Sequence, residues 1–162
     1  MVRVTTPAAF AHDEWDSLVQ LPRWVVAAAS AAQYDRPHKT NVEVEVGLLA
    51  SAHGRDTGNA FVATVAEQTL RIFDDRATVA AIDFRDVAAG IATVLERVAA
   101  VNALLRAKAD GTDASAYRAW LLTIADRVIA AVRTGDFMGV GGELVTESER
   151  RFRDQLAEVL VR

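Results

Sequence analysis

The sequence contains no cysteine. That excludes disulfides, cysteine-ligated zinc, iron–sulfur clusters and thiol catalysis, and it fits a reducing compartment. There is no basic excess: the formal net charge is −4, whereas nucleic-acid binding draws much of its affinity from neutralised phosphates. The one arginine-rich run, Arg150, Arg151 and Arg153, is interleaved with Glu147, Glu149 and Asp154, as on a solvated helix face. Long hydrophobic runs are also missing. The longest, Trp24 to Ala32, is interrupted by Ser30 and falls far short of the roughly 20 residues that span a bilayer. Residues 1–10 have no apolar signal core. These absences predict a cytoplasmic protein with no membrane span and no nucleic-acid partner.

Histidine is scarce. His12, His38 and His53 have no ligand-like spacing, and no Glu-x-x-His pair of the kind that holds two irons in a bundle occurs. Nor is there a Gly-x-Ser-x-Gly elbow, a P-loop or a dinucleotide fingerprint. No cofactor is implied, no catalytic residue is assigned, and the chain is read as non-enzymatic.

What is present is a globular composition, 51% hydrophobic and 25% charged over 162 residues, enough to bury a core without staples. The periodicity predicts an all-α, single-domain bundle of five or six helices spanning 12–162, preceded by a flexible segment, 1–11. A first helix starts near Asp13. At Pro22 it either kinks or gives way to a second helix, since proline removes a backbone donor. The alanine-rich continuation to about Tyr34 suits a central position. Val42, Val44 and Val46 alternate like a strand, but no partner strand exists, so 41–53 is read as helix. Asn59 caps a helix to about Phe73, with Phe61, Val65, Thr69 and Ile72 along one side. Asp83 is the expected N-cap of the clearest helix, whose stripe is Ile91, Val94, Leu95, Val98, Val101 and Leu105. The next helix, 113–134, carries Tyr117, Trp120, Leu121, Ile124, Val128 and Val132. A glycine-rich loop, 135–142, leads to a capping box at Thr146 and Glu149 and a last helix to about Val161. Glu147–Arg151 and Glu149–Arg153 are expected i,i+4 pairs.

Three places stand out as candidate sites. Phe137, Met138 and Val140 make the glycine-rich loop apolar, and it either closes the bundle end or contacts a partner. Glu143, Glu147 and Glu149 form an oxygen-only cluster of the kind that binds divalent cations. Asn102, Tyr117 and Trp120 place polar groups within apolar stripes, where an inter-helix ligand pocket would need them. For Asn102 alone, partial exposure is expected slightly ahead of a role in fixing helix register or an oligomer seam.

Residues 117–161, through Tyr117-x-x-Trp120-Leu121-x-x-Ile124-Ala125-x-x-Val128, the glycine-rich loop and Glu143-Leu-Val-Thr-x-x-Glu149, resemble a group of small uncharacterised all-helical bacterial proteins. The ending also resembles the tail of the TerB tellurite-resistance family. The first resemblance implies fold alone. The second implies an acidic helical stress protein with an associated divalent cation. The expected role is a protein-interaction or stress-associated module that binds an unknown protein or self-associates as a homodimer. Cation binding and a ligand or enzymatic pocket are the alternatives.

Overall fold

The computed structural model describes residues 4–32, 40–74, 82, 84–134 and 147–162, and of residues 40–45, 74 and 132–134 the helical backbone. Among these, the chain forms six α-helices and no strand: α1 (His12–Ala31), α2 (Thr40–Ala52), α3 (Ala60–Asp74), α4 (Val87–Lys108), α5 (Gly111–Thr134) and α6 (Glu147–Val161). Short 3-10 turns lie at Pro7–Ala9 and His53–Asp56. The expected all-α bundle is therefore what forms, and the alternating valines of α2 lie in a helix.

α1 is the central element and packs against all five other α-helices. Its side chains explain why. Leu18, Leu21, Val25, Ala28 and Ala29 have no exposure at all and share one face of the helix, and the buried Val19, Trp24 and Val26 flank that face, so that more than half of the circumference is covered. Small side chains permit close neighbours. The glycine opposite serves the same purpose: a Cβ on Gly47 of α2 would fall 2.5 Å from Val26 Cγ1. α1 runs unbroken through Pro22. Proline cannot donate to the carbonyl four residues earlier, so Leu18 O loses its helical partner. Tyr117 of α5 donates its hydroxyl to that oxygen at 2.7 Å. Thr69 of α3 donates to the next carbonyl, Val19 O, at 2.8 Å. Tyr117 thus fills the gap, and Thr69 adds a bond beside it.

The apolar stripes of α3, α4, α5 and α6 face α1 as their periodicity predicts, with Phe61, Val65, Val94, Val98, Leu121, Ile124, Phe152 and Leu156 buried. An aromatic chain, Phe10–Trp15–Phe61–Tyr117–Trp120, links the N-terminal segment to α1, α3 and α5, with successive ring centroids 5.7–6.2 Å apart.

One boundary and one ion pair differ from expectation. α4 is capped by Asp86, which accepts from Ala89 N at 3.1 Å, rather than by Asp83, which lies outside the described residues. Ile82 and Phe84 pack against the core, which keeps the chain out of the helix until Asp86. Arg153 pairs with Asp126 of α5 at 3.0 Å in place of Glu149, which is buried. The Glu147–Arg151 pair forms at 3.3 Å.

Candidate functional site

The polar tips singled out in the sequence are brought into the core, and each is committed to a backbone carbonyl. The last four carbonyls of a helix lack helical partners, and here side chains supply them. Tyr117 serves the proline gap of α1. Burial alone pushes its hydroxyl pKa well up, so it remains a protonated donor. Trp120 Nε1 lies 3.4 Å from Ala50 O, a long bond where α2 tightens toward its 3-10 turn. Its ring leaves no free space: a Cβ on Gly54 would sit 2.7 Å from Trp120 Cε2. Asn102, far from partial exposure, is 2% exposed. It donates from Nδ2 to Val159 O at 3.1 Å, near the end of α6. Its Oδ1 accepts from Arg118 Nε at 2.7 Å, so the amide cannot flip without losing a bond. Arg23 does likewise for α3, donating to Ile72 O at 2.8 Å. Asn102 thus docks α6, while Tyr117 and Trp120, which meet edge to face, lock α1 and α2. These three residues do not converge on one pocket.

Of the acidic candidates, Glu147 and Glu149 face opposite ways. Glu147 is exposed and paired with Arg151, whereas Glu149 is 3% exposed. Residues two apart on a helix point about 200° apart, so one faces solvent and the other the bundle. Glu143 lies outside the described residues, as do Phe137, Met138 and Val140. Among the described residues, no group of three or more metal-ligating side chains is placed to hold an ion.

A polar cluster missed by sequence reasoning holds the N-terminal segment. Asp113, in the first turn of α5, accepts from Thr5 N and Asn59 Nδ2, each at 2.8 Å. Thr5 Oγ1 accepts from Asp110 N, and Asn59 Oδ1 caps α3 through Val62 N. Burial raises the Asp113 pKa, but the hydrogen bonds from Thr5 and Asn59 outweigh it and hold the carboxyl below the usual aspartate range. Within the N-terminal segment, Thr5 makes these bonds and Phe10 is buried. Three polar residues spread over more than a hundred positions carry no local signal.

Two buried side-chain atoms, Trp24 Nε1 and Ser30 Oγ, have no hydrogen-bond partner among the described residues. The Arg97 guanidinium lies over the Trp24 ring at 4.1 Å, an attraction between a cation and the negative ring face.

The remaining feature is the outer face of α4. In length and composition this helix is apolar enough to cross a membrane, yet only 28% of its most apolar stretch is buried. Val94, Val98, Val101 and Leu105 face α1 and α6. Ala88, Ala89, Ala92, Ala99, Ala100 and Ala103 face away and are exposed. No family, curated protein or solved structure matches this chain. A helix apolar on every side is ordinarily covered on every side, and α4 is covered on one. The sequence signal was there, in alanines recurring opposite the valine stripe, but Glu96-Arg97 interrupts the run.

Proposed function

We propose that the protein is a non-enzymatic interaction module that docks a protein helix on the outer face of α4. The observation that carries this reading is the half-covered apolar helix. The chemistry of the face favours a protein over a lipid surface. Helices that lie in a bilayer interface present bulky Trp, Phe or Leu on the apolar side. The exposed side of α4 presents alanine, which gains little from lipid but lets another helix approach closely. Spanning a bilayer would also strip Val94, Val98, Val101 and Leu105 from the core. Asn102, Tyr117 and Trp120 support the same reading, because each already donates to a backbone carbonyl.

The absence of cysteine supplies a clean test. In Ala99→Cys the introduced thiol is unique, and in Ala119→Cys the same is true at an exposed position of α5. In the cells that make the protein, maleimide should label position 119 readily and position 99 at least about tenfold more slowly, as contact excludes the reagent. Equal labelling at both positions would mean the α4 face stands uncovered and would refute the reading.

A further inference from the structure

We propose that the occupant of the α4 face is a second copy of this chain, packed antiparallel so that Glu96 of each protomer meets Arg106 of its partner. The inference rests on the reading of α4 as a docking face and names what docks there.

The exposed residues Ala89, Ala92, Glu96, Ala99, Ala103 and Arg106 follow one another at steps of 3, 4, 3, 4 and 3. This is the alternation by which two helices share a seam, with Ala89, Glu96 and Ala103 in one heptad position and Ala92, Ala99 and Arg106 in the other. Within that seam Glu96 and Arg106 are the only charges. Neither makes an ion pair among the described residues. The charges near them are like or already engaged: Arg97 lies over Trp24, and Arg118, bound to Asn102, feels Arg106 as a repelling neighbour.

Opposite charges ten residues apart, about 15 Å along a helix, select one arrangement. A parallel pair in register sets Glu96 against Glu96 and Arg106 against Arg106. An antiparallel pair brings the two heptad positions into the same layers. With the two-fold axis level with Val101, Ala99 of each protomer faces Ala103 of its partner, and the next layer outward on each side is Glu96 against Arg106. A slip of one heptad in one direction leaves both charges opposite alanine, and in the other it carries Glu96 past the end of the partner helix. The arrangement is self-complementary, as a two-fold interface requires, and it places two ion pairs at the ends of an alanine centre where backbones approach closely.

Sedimentation equilibrium of the full chain tests this. The wild type should pass from monomer to dimer with rising concentration. Glu96→Arg and Arg106→Glu should each raise the dimer dissociation constant by about tenfold or more, since each sets like charges face to face twice. The double reversal Glu96→Arg/Arg106→Glu should return it to within about threefold of wild type. Melting curves of the dilute monomers, unchanged by these surface substitutions, confirm that the variants fold. A wild type that stays monomeric at every concentration, or a dimer that the double reversal does not restore, overturns the proposal. The Ala99→Cys thiol separates this failure from that of the docking reading. If it is protected in cells yet fully reactive in concentrated pure protein, the face is occupied by another protein, and self-association alone is refuted.

Discussion

At the scale of single residues, the Leu18 carbonyl shows how the core tolerates proline. Pro22 removes its helical donor, and Tyr117 replaces it. Tyr117→Phe should therefore cost about 1–3 kcal/mol in urea unfolding, the penalty for a buried acceptor left without a donor. Pro22→Ala restores a backbone N–H to the same oxygen. In that background Tyr117→Phe should cost markedly less, and the two changes should couple rather than add. Additive costs would show that the hydroxyl and the proline gap are unrelated. Asp113 offers a second test. Asp113→Asn replaces one of the two accepting oxygens by an amide NH2, which sets a donor against the donor from Thr5 or Asn59, and should lower stability at pH 7 by about 1–3 kcal/mol. The pH dependence has a fixed sign. A carboxyl held below its unfolded value, near 3.9 for aspartate, stabilises fully above that value and loses its contribution as pH falls through the lower folded one. The gap between wild type and Asp113→Asn should hold from pH 7 to about 4 and close below it. A gap that persists at pH 2 would deny the carboxylate its role. Of these residues, Tyr117 was visible as a member of an apolar stripe, but its partner at position 18 was not. A stripe shows that a side chain faces inward. It does not show which carbonyl waits there.

At the scale of elements, the apolar stripes were legible because the helical period fixes which residues share a face. Boundaries were less so. Asp83 and Asp86 both have capping side chains, and local sequence cannot choose between them. The choice goes with Ile82 and Phe84, which are partly buried against the core, and the helix begins after Asp86. Asn102 was seen as an anomaly in its stripe, and its meaning came only from α6, more than fifty residues later. It receives the end of that helix, so Asn102→Ala should cost about 1–3 kcal/mol. The accompanying loss of amide-exchange protection should be concentrated in the last turns of α6. Uniform loss across the bundle would point to general destabilisation instead. α4 was read as half of an amphipathic pattern because its inner stripe was strong. Its outer alanines are apolar as well, and the periodicity of one face concealed the character of the other.

At the scale of the whole molecule, the all-α architecture followed from periodicity, turns and the lack of any strand partner for 42–46. The central place of α1 followed from its run of alanines. The candidate sites fared differently, for a physical reason. Ligand pockets and metal sites are made by convergence of residues distant in sequence. Here Asn102 diverges from Tyr117 and Trp120, and Glu147 diverges from Glu149. The convergence that does occur, among Thr5, Asn59 and Asp113, ties the N-terminal segment across the ends of α3 and α5. The same logic applies to assembly. Whether α4 meets a partner is decided by a face the monomer leaves over, which no inward-looking analysis of stripes would rank.

The proline gap in α1 also gives the molecule a built-in reporter. The Leu18 oxygen has no bond available within its own helix, so its vibrational frequency depends on a hydroxyl that arrives from a segment 99 residues later in the chain. A single isotope-labelled carbonyl at Leu18 would shift its infrared band when α5 docks and not before. During refolding it would time the docking of α5 on α1, separately from the growth of the helices themselves.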